Sequence, residues 1–296
     1  MSSRRAYPSD LSDTRWALIE PVLTAWRAAR RGPGTAARVH DLREIVNAIL
    51  YVCRTGIAWA YLPHDFPPHK TVYDYYAKWE TDGTAEALHD LLRERVRVAS
   101  GRATSPTAAI LDSQSVKTSC NVNESDQGID ANKKIKGRKR HIATDVLGLM
   151  LAVIVIVIVT SASDSTAGRQ LLDHLAVTQP DVSIAWADGG YNDEVVRHGA
   201  RRGIRVEVVK RIAAQGFHVL PKRWVVERTL GWLMQHRRLV RDYETLPQRS
   251  RTMTLCLPKC HPCRLGGFRG LFQDRCVRPD TPGLGSGGMG TVSDDI

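Results

Sequence analysis

Three acidic side chains stand where carboxylates can do chemistry. Asp112 follows a short apolar run in "AAILDSQSV" (108–116), and Asp188 follows another in "VSIAWADGG" (182–190). Both runs read as buried strands, so each aspartate sits at a strand end; Gly189 and Gly190 let the backbone turn sharply after the second. Ligands in open α/β sheets collect at the carboxyl ends of strands, and two carboxylates there share one site if their strands are neighbours. The third acid is Glu227, the single carboxylate in "RWVVERTLGWLMQHRRL" (223–239), a segment crowded with tryptophan and arginine. Each has a plainer reading. An aspartate after a strand commonly caps a turn. Glu227 on a solvated helix face would pair with Arg223 four residues before it.

Taken together, two strand-end carboxylates and one helical carboxylate suit a hard divalent cation. Mg²⁺ prefers oxygen ligands and is often held by one or two carboxylates plus substrate phosphates. Two such ions about 3.5–4 Å apart activate an attacking hydroxyl and stabilise a leaving oxygen, the chemistry of phosphodiester cleavage and joining. Neighbouring arginines would then meet phosphate, which guanidinium groups bind bidentately. Asp145, Asp193 and Glu194 are further acids in the same region, Asp145 being placed mid-strand by its "RKRHIATDV" setting.

The elements that must position these groups follow from periodicity. The first hundred residues read as helices. In "DLREIVNAILYVCRTG" Asp41 is an N-cap with Glu44 three places on, Leu42, Ile45, Val46, Ile49, Leu50 and Cys53 mark one face, and Gly56 ends the helix. "TVYDYYAKWE" repeats the pattern with Val72, Tyr75, Tyr76 and Trp79, after the proline-rich turn "LPHDFPPHK". Helix, rigid turn, helix fits either a DNA-binding module or a helical bundle with core aromatics. From residue 105 the period changes. Strands are expected at 108–116, 138–146 and 149–159, a helix over 164–178, a strand at 182–190, a helix over 192–202, a strand at 204–210 and one long helix over 221–244. On that helix Val225, Val226, Trp232, Leu233, Val240 and Tyr243 make an apolar stripe, with Glu227, Arg223, Met234, Arg238 and Arg241 opposite and Arg237 at the border. The order predicts a mixed α/β sheet behind a helical region.

Composition narrows the partners. A net charge of +11 favours polyanions, nucleic acid before an anionic membrane surface. The opening "MSSRRAYPSD" lacks the apolar core of a signal peptide, and "LMLAVIVIVIV" (149–159) is too short and too β-branched to span a bilayer. An odd-numbered slip within that run would swap its faces. Six unevenly spread cysteines do not make a disulfide scaffold, so a cytosolic chain with free thiols is expected. The basic run "KKIKGRKR" carries Lys133, Lys134, Lys136, Arg138, Lys139 and Arg140. It is either a solvated strand edge or a phosphate-binding stretch that holds DNA without reading sequence.

Several stretches, in order from about residue 7 to 246, carry a resemblance: "YPSDLSDTRWALIEPVL", "DLREIVNAILYVCRTGIAW", "LPHDFPPHKTVYDYYAKW", "LDSQSVKTS", "GIDANKKIKGRKRHIATDVLGL", "WADGGYND", "VLPKRWVVERTLGWL" and "HRRLVRDYE". They resemble the DDE transposases of bacterial insertion sequences, in particular the insertion-sequence-five family. The resemblance implies a ribonuclease-H-like mixed sheet with flanking helices, preceded by an all-helical N-terminal region. It implies a catalytic and metal-binding triad of Asp112, Asp188 and Glu227, two Mg²⁺ ions with Mn²⁺ able to substitute, and cleavage of element ends followed by strand transfer. Partners implied are double-stranded DNA, as terminal inverted repeats and as target, and a second copy in a DNA-bound homodimer. The setting is the bacterial cytoplasm beside the nucleoid, with no membrane. Related proteins carry a Tyr–Arg–Glu–Lys pattern; Arg223 and Glu227 keep its middle spacing, while Leu220 and Met234 stand at its ends. Arg223, Arg237, Arg238 and Arg241 join the basic run as expected DNA contacts.

The expected division is a helical DNA-binding region at 1–104, a catalytic domain at 105–249 and an aberrant, disordered tail at 250–296. That tail is rich in Gly, Pro, Cys and Arg without periodicity, as a frameshift would produce. Cys256, Cys260, His261 and Cys263 offer a zinc knot as the alternative, at tight and irregular spacing. The intact acids favour a working transposase. The altered end favours an inactive remnant that binds element ends as a regulator, and a metal-dependent nuclease without strand transfer is a third reading.

Overall fold

The computed structural model describes residues 4–31, 40–130, 133–157, 162–209 and 223–256, with backbone alone at 162, 163 and 223. Four helices come first: α1 (Asp13–Ala29), α2 (Leu42–Thr55), α3 (His69–Thr81) and α4 (Thr84–Ala99). The caps expected for α2 are present. Asp41 accepts from the Arg43 N–H, and Gly56 closes the helix in the left-handed region at φ 76°. Glu44 does other work than a capping box. It accepts from Arg4 Nε at 2.6 Å and from Asn47 Nδ2 at 3.2 Å, tying the N-terminal segment to α2. On α3, Val72, Tyr76 and Trp79 are buried, so this aromatic stripe is core.

The sheet contains β1 (Ala108–Lys117), β2 (Gly128–Asp130), β3 (Ile135–Thr144), β4 (Met150–Val157), β5 (Ile184–Ala187) and β6 (Arg205–Val208). Its order is β2-β3-β1-β5-β6, with β4 also paired to β3. Pairs among β1 to β4 are antiparallel; β1–β5 and β5–β6 are parallel. Helix α5 (Ala162–Thr178) leads from β4 into β5, and α6 (Asp193–Arg201) connects the parallel pair β5 and β6. This is the mixed sheet with flanking helices that the resemblance implies. The short β2 was not anticipated.

Alternation along β1 divides the core into two layers. Ala109 and Leu111 join Leu171, Leu172 and Val195 on the side of α5 and α6. Ile110 joins Ile45, Val52, Tyr76 and Trp79 on the other. The N-terminal helices therefore share one core with the sheet. In β4 the register shifts by one opposite Ala143 and Thr144, a bulge after which Val153 and Val155 reach the helical layer and Ile154 the other side. The slip considered for this run is thus a single bulge, and the strand is described only to Val157.

Three expectations need correction. The long helix over 221–244 is broken: α7 (Arg223–Leu233) ends, and α8 (Arg237–Val240) starts after His236 in an extended conformation. At the break, Arg54 Nη1 of α2 donates to the Gln235 carbonyl at 2.9 Å. The apolar stripe consequently loses phase. Val225, Val226 and Leu233 are buried as expected, but Val240 is 52 % exposed. Second, the aperiodic tail does not begin at 250. Residues 250–255 belong to α9 (Pro247–Leu255), whose Met253 and Leu255 enter the core. Arg251 Nε donates to Val153 O at 3.0 Å and His89 Nε2 to Met150 O at 3.0 Å, satisfying carbonyls on β4. The rest of the tail, with Cys260, His261 and Cys263, lies outside the described residues. Third, Asp145 is not mid-strand but follows β3 in the turn to β4.

Candidate active site between β1 and β5

The parallel register pairs Ile110 with Trp186 and Leu111 with Ala187. One residue further on stand Asp112, which is in the middle of β1 and not at its end as expected, and Asp188, just after β5, on neighbouring strands about 5 Å apart. Leu111 and Ala187 both point into the α5–α6 layer. Alternation sends the next residues, the two aspartates, toward the opposite face, where Asp112 lies across from the core residue Ile142. Asp112 is buried and its Oδ1 accepts from the Ser113 N–H at 2.8 Å. Asp188 is half-buried; its Oδ1 accepts from the Gly190 N–H at 3.0 Å, and its carbonyl accepts from the Tyr191 N–H at 3.1 Å. The glycines serve differently from expectation, since neither has a positive φ. A Cβ on Gly190 would stand 3.1 Å from Asp188 Oδ1, so the missing side chain makes room for the carboxylate.

Glu227 comes from α7, which packs over β1 and β3. Val225, Val226, Thr229 and Leu233 form the buried face of that helix. At about 100° per residue, Glu227 lies nearly opposite the centre of this face and Arg228 to one side of it. Glu227 is exposed. The structure thus brings Asp112 and Asp188 together; among the described residues no three of His, Cys, Asp and Glu are grouped closely enough to hold a metal ion. The donor chemistry of the aspartate pair still fits a hard cation, for which two carboxylates and substrate oxygens suffice.

Two groups beside the aspartates escaped the sequence reading. His141, on β3, is wholly buried, and its Nδ1 lies 3.0 Å from the Tyr191 hydroxyl. Burial, then Lys139 and Lys133, push the His141 pKa down to about 3, so the ring is neutral. Burial, with the charges of Asp112, Asp188 and Asp164, pushes the Tyr191 phenol well up. The Tyr191 hydroxyl and His141 Nδ1 thus share one hydrogen bond between neutral groups, and His141 Nε2 lies 3.6 Å from Asp164 Oδ1. The signal for His141 lay only in its alternation with Ile142.

Asp145 is ruled out as a rival ligand by its partners. It is fully buried, ion-paired with Arg97, and accepts the N–H groups of Leu147 and Leu149 at 2.9 and 2.8 Å.

The expected DNA contacts divide sharply. Lys133, Lys134 and Lys136 are exposed, Lys136 pairing with Glu124 at 2.7 Å. Arg237 and Arg241 are also exposed. Arg138, Arg140 and Arg238, however, are 0 %, 1 % and 5 % exposed and cannot reach a phosphate. Arg138 donates to the carbonyls of Asp126, Glu244 and Thr245 and pairs with Asp242; Arg140 donates to the Leu239 carbonyl; Arg238 pairs with Glu244 at 2.8 Å. Arg138 and Arg140 fasten the segment after α7 to the sheet, and Arg238 ties that segment to itself and to the Ile57 carbonyl. Lys139 is largely covered and holds Asp164 at 2.6 Å. The side chain of Arg223, like Leu220, lies outside the described residues.

Residues 103–257 match the family described as "Transposase DDE domain", and residues 11–89 match "Putative transposase of IS4/5 family". The first match runs past residue 249, where the resemblance had been expected to stop. The chain is 36% identical over 113 residues to a Burkholderia cepacia protein named "Putative transposase for insertion sequence element IS402", covering 35% of this chain and 52% of that protein. It is 30% identical over 92 residues to "Insertion element IS402 uncharacterized 16.2 kDa protein" of the same organism, covering 30% of this chain and 61% of that protein. The chain thus spans roughly half to three fifths of the length of these relatives. Among the described residues no helix is long and apolar enough to cross a membrane.

Proposed function

The chain belongs to the DDE transposases of insertion sequences, and on that premise we propose that it cuts DNA at the ends of its element and joins them to target DNA. Asp112, Asp188 and Glu227 are the carboxylates of the reaction. The observation that carries this reading is the β1–β5 register, which sets Asp112, midway along β1, beside Asp188, the residue after β5, on the sheet face that α7 covers. Two Mg²⁺ ions, with Mn²⁺ able to substitute, are the proposed cofactor; when bound they activate an attacking hydroxyl and stabilise a leaving oxygen. The aspartates supply negative oxygens for that purpose, and Tyr191 with His141 keeps the loop after Asp188 in place.

DNA is held by the exposed cations: Lys133, Lys134 and Lys136 on one side, Arg237 and Arg241 on the other. Arg54 and Lys117 extend the second group, because Arg54 reaches the Gln235 carbonyl and the Lys117 carbonyl accepts from the Asp242 N–H. The acids nearest this ridge, Asp242 and Glu244, are buried against Arg138 and Arg238, which leaves the ridge positive. The helical region to residue 104 recognises the terminal inverted repeats, the catalytic domain starts at 105, and two copies act together on DNA in the cytoplasm, beside the nucleoid.

A strand-transfer assay with Mg²⁺ or Mn²⁺ on the element's own terminal repeats tests this reading. Cleavage followed by joining is expected. Binding without cleavage would mean an inactive end-binding remnant, and cleavage without joining a nuclease.

A further inference from the structure

The helix that carries Glu227 is fastened through the two residues that follow it. Arg228 is stacked between two tryptophans of α7, its Cζ 4.5 Å from the Trp224 ring and 4.6 Å from the Trp232 ring, and its Nη2 donates to the Leu147 carbonyl at 3.0 Å. Thr229 Oγ1 donates to the Gly148 carbonyl at 2.8 Å. Both acceptors lie in the turn between β3 and β4. Gly148 has φ 81°, and a Cβ there would meet Thr229 Oγ1 at 2.8 Å and Arg228 Nη2 at 3.3 Å, so helix and turn fit only without a side chain between them.

The turn itself is tied down. Asp145 accepts the N–H groups of Leu147 and Leu149 on one oxygen and pairs with Arg97 of α4 through the other. Arg97 also donates to the carbonyls of Ala103 and Ser105. A rigid chain of contacts therefore runs from α4 through Asp145 and the turn to α7.

We infer that Arg228 and Thr229, docked on the β3–β4 turn, are positioning residues that set which way Glu227 faces. The inference rests on the proposed role of Glu227 as a metal-binding carboxylate. Its physical basis is helix geometry: slipping α7 by one residue moves Glu227 about 1.5 Å along the axis and turns it about 100°. The packing of Val225, Val226 and Leu233 is apolar and non-directional. The hydrogen bonds from Arg228 and Thr229 to two consecutive carbonyls are directional.

The test is Mn²⁺ binding to the full chain, followed by electron paramagnetic resonance, for the wild type and for Glu227→Gln, Arg228→Met, Thr229→Val and Thr229→Ser. Far-ultraviolet circular dichroism and the urea midpoint are recorded alongside. Loss of a group that orients a metal ligand weakens metal binding about tenfold or more. Glu227→Gln, Arg228→Met and Thr229→Val should each show that loss, with secondary structure kept, and Thr229→Ser should restore binding. Arg228→Met keeps an unbranched side chain between the tryptophans and decides the matter if Thr229→Val does not fold. Wild-type Mn²⁺ binding by Arg228→Met, with weakened binding by Glu227→Gln, overturns the dock and leaves the site standing. Wild-type binding by Glu227→Gln removes the site reading and the dock with it.

Discussion

The Tyr191 hydroxyl lies 3.0 Å from Nδ1 of His141, and the Tyr191 ring fills the space that a side chain would take at residue 168. Tyr191 thereby closes the loop that begins at Asp188. Removing the hydroxyl in Tyr191→Phe leaves a buried ring nitrogen unpaired, which costs about 1–3 kcal/mol. Gly168→Ala should do comparable damage from the other side, since its Cβ would stand 2.8 Å from the ring, and overpacking costs about 1–3 kcal/mol. Urea unfolding of both variants checks this; unchanged midpoints would mean the loop is held by other contacts.

Acid sensitivity follows from two histidines. Burial, then Lys139 and Lys133, lower His141 to about 3, and burial, then Arg54, lower His236 to about 4. A histidine depressed in the folded state binds protons more readily when unfolded. Its contribution is complete above the unfolded value of about 6.5 and is lost as pH falls toward the folded value. The urea midpoint should therefore decline steadily from pH 6.5 to 4, before most carboxylates titrate. His141→Gln should flatten that decline. A midpoint constant from pH 6.5 to 5 would contradict it.

Buried and exposed arginines should behave as different populations. Arg138→Ala leaves the buried Asp242 carboxylate and the carbonyls of Glu244 and Thr245 without their donor, and breaking such a pair costs about 3–5 kcal/mol. Arg237→Ala and Arg241→Ala should leave the unfolding midpoint unchanged. Each should instead reduce the slope of log affinity for DNA against log salt by about one. Filter binding across a salt series, with urea unfolding on the same proteins, separates the two kinds.

These arginines also mark where the sequence was legible. Asp188 could be placed because a strand and the residue after it are local patterns, whereas Asp112 read as a strand end only because the apolar run stops there; β1 continues to Lys117 through its pairing with β3. The caps of α2 were equally local. Arg138 and Arg140 looked like strand-edge charges because the carbonyls that bury them come from about a hundred positions later in the chain. The break between α7 and α8 was hidden as well: 223–244 holds no proline, and Arg54, which donates to the Gln235 carbonyl at the break, comes from α2. Asp145 appeared mid-strand because alternation continues past the point where its carboxylate folds back on the turn. Helix α9 has too few apolar positions for a periodic signal, yet Met253 and Leu255 are fully placed in the core.

The reassignment of residues 250–255 from tail to helix has its own check. Met253→Ala and Leu255→Ala each remove a side chain at 1 % and 4 % exposure, and such core truncations cost about 2–5 kcal/mol. A disordered segment would show no loss. Thermal or urea unfolding of either variant distinguishes the two.

The central claim is that Asp112 and Asp188 act as one pair of carboxylates on DNA, with Glu227 as their third member. Its most direct test is metal-dependent cleavage of the element's terminal repeats by Asp112→Asn, Asp188→Asn and Glu227→Gln, with DNA-end affinity measured on the same preparations. Each substitution should abolish cleavage and leave end binding close to that of the parent chain. Cleavage surviving in Asp112→Asn or Asp188→Asn would contradict the account.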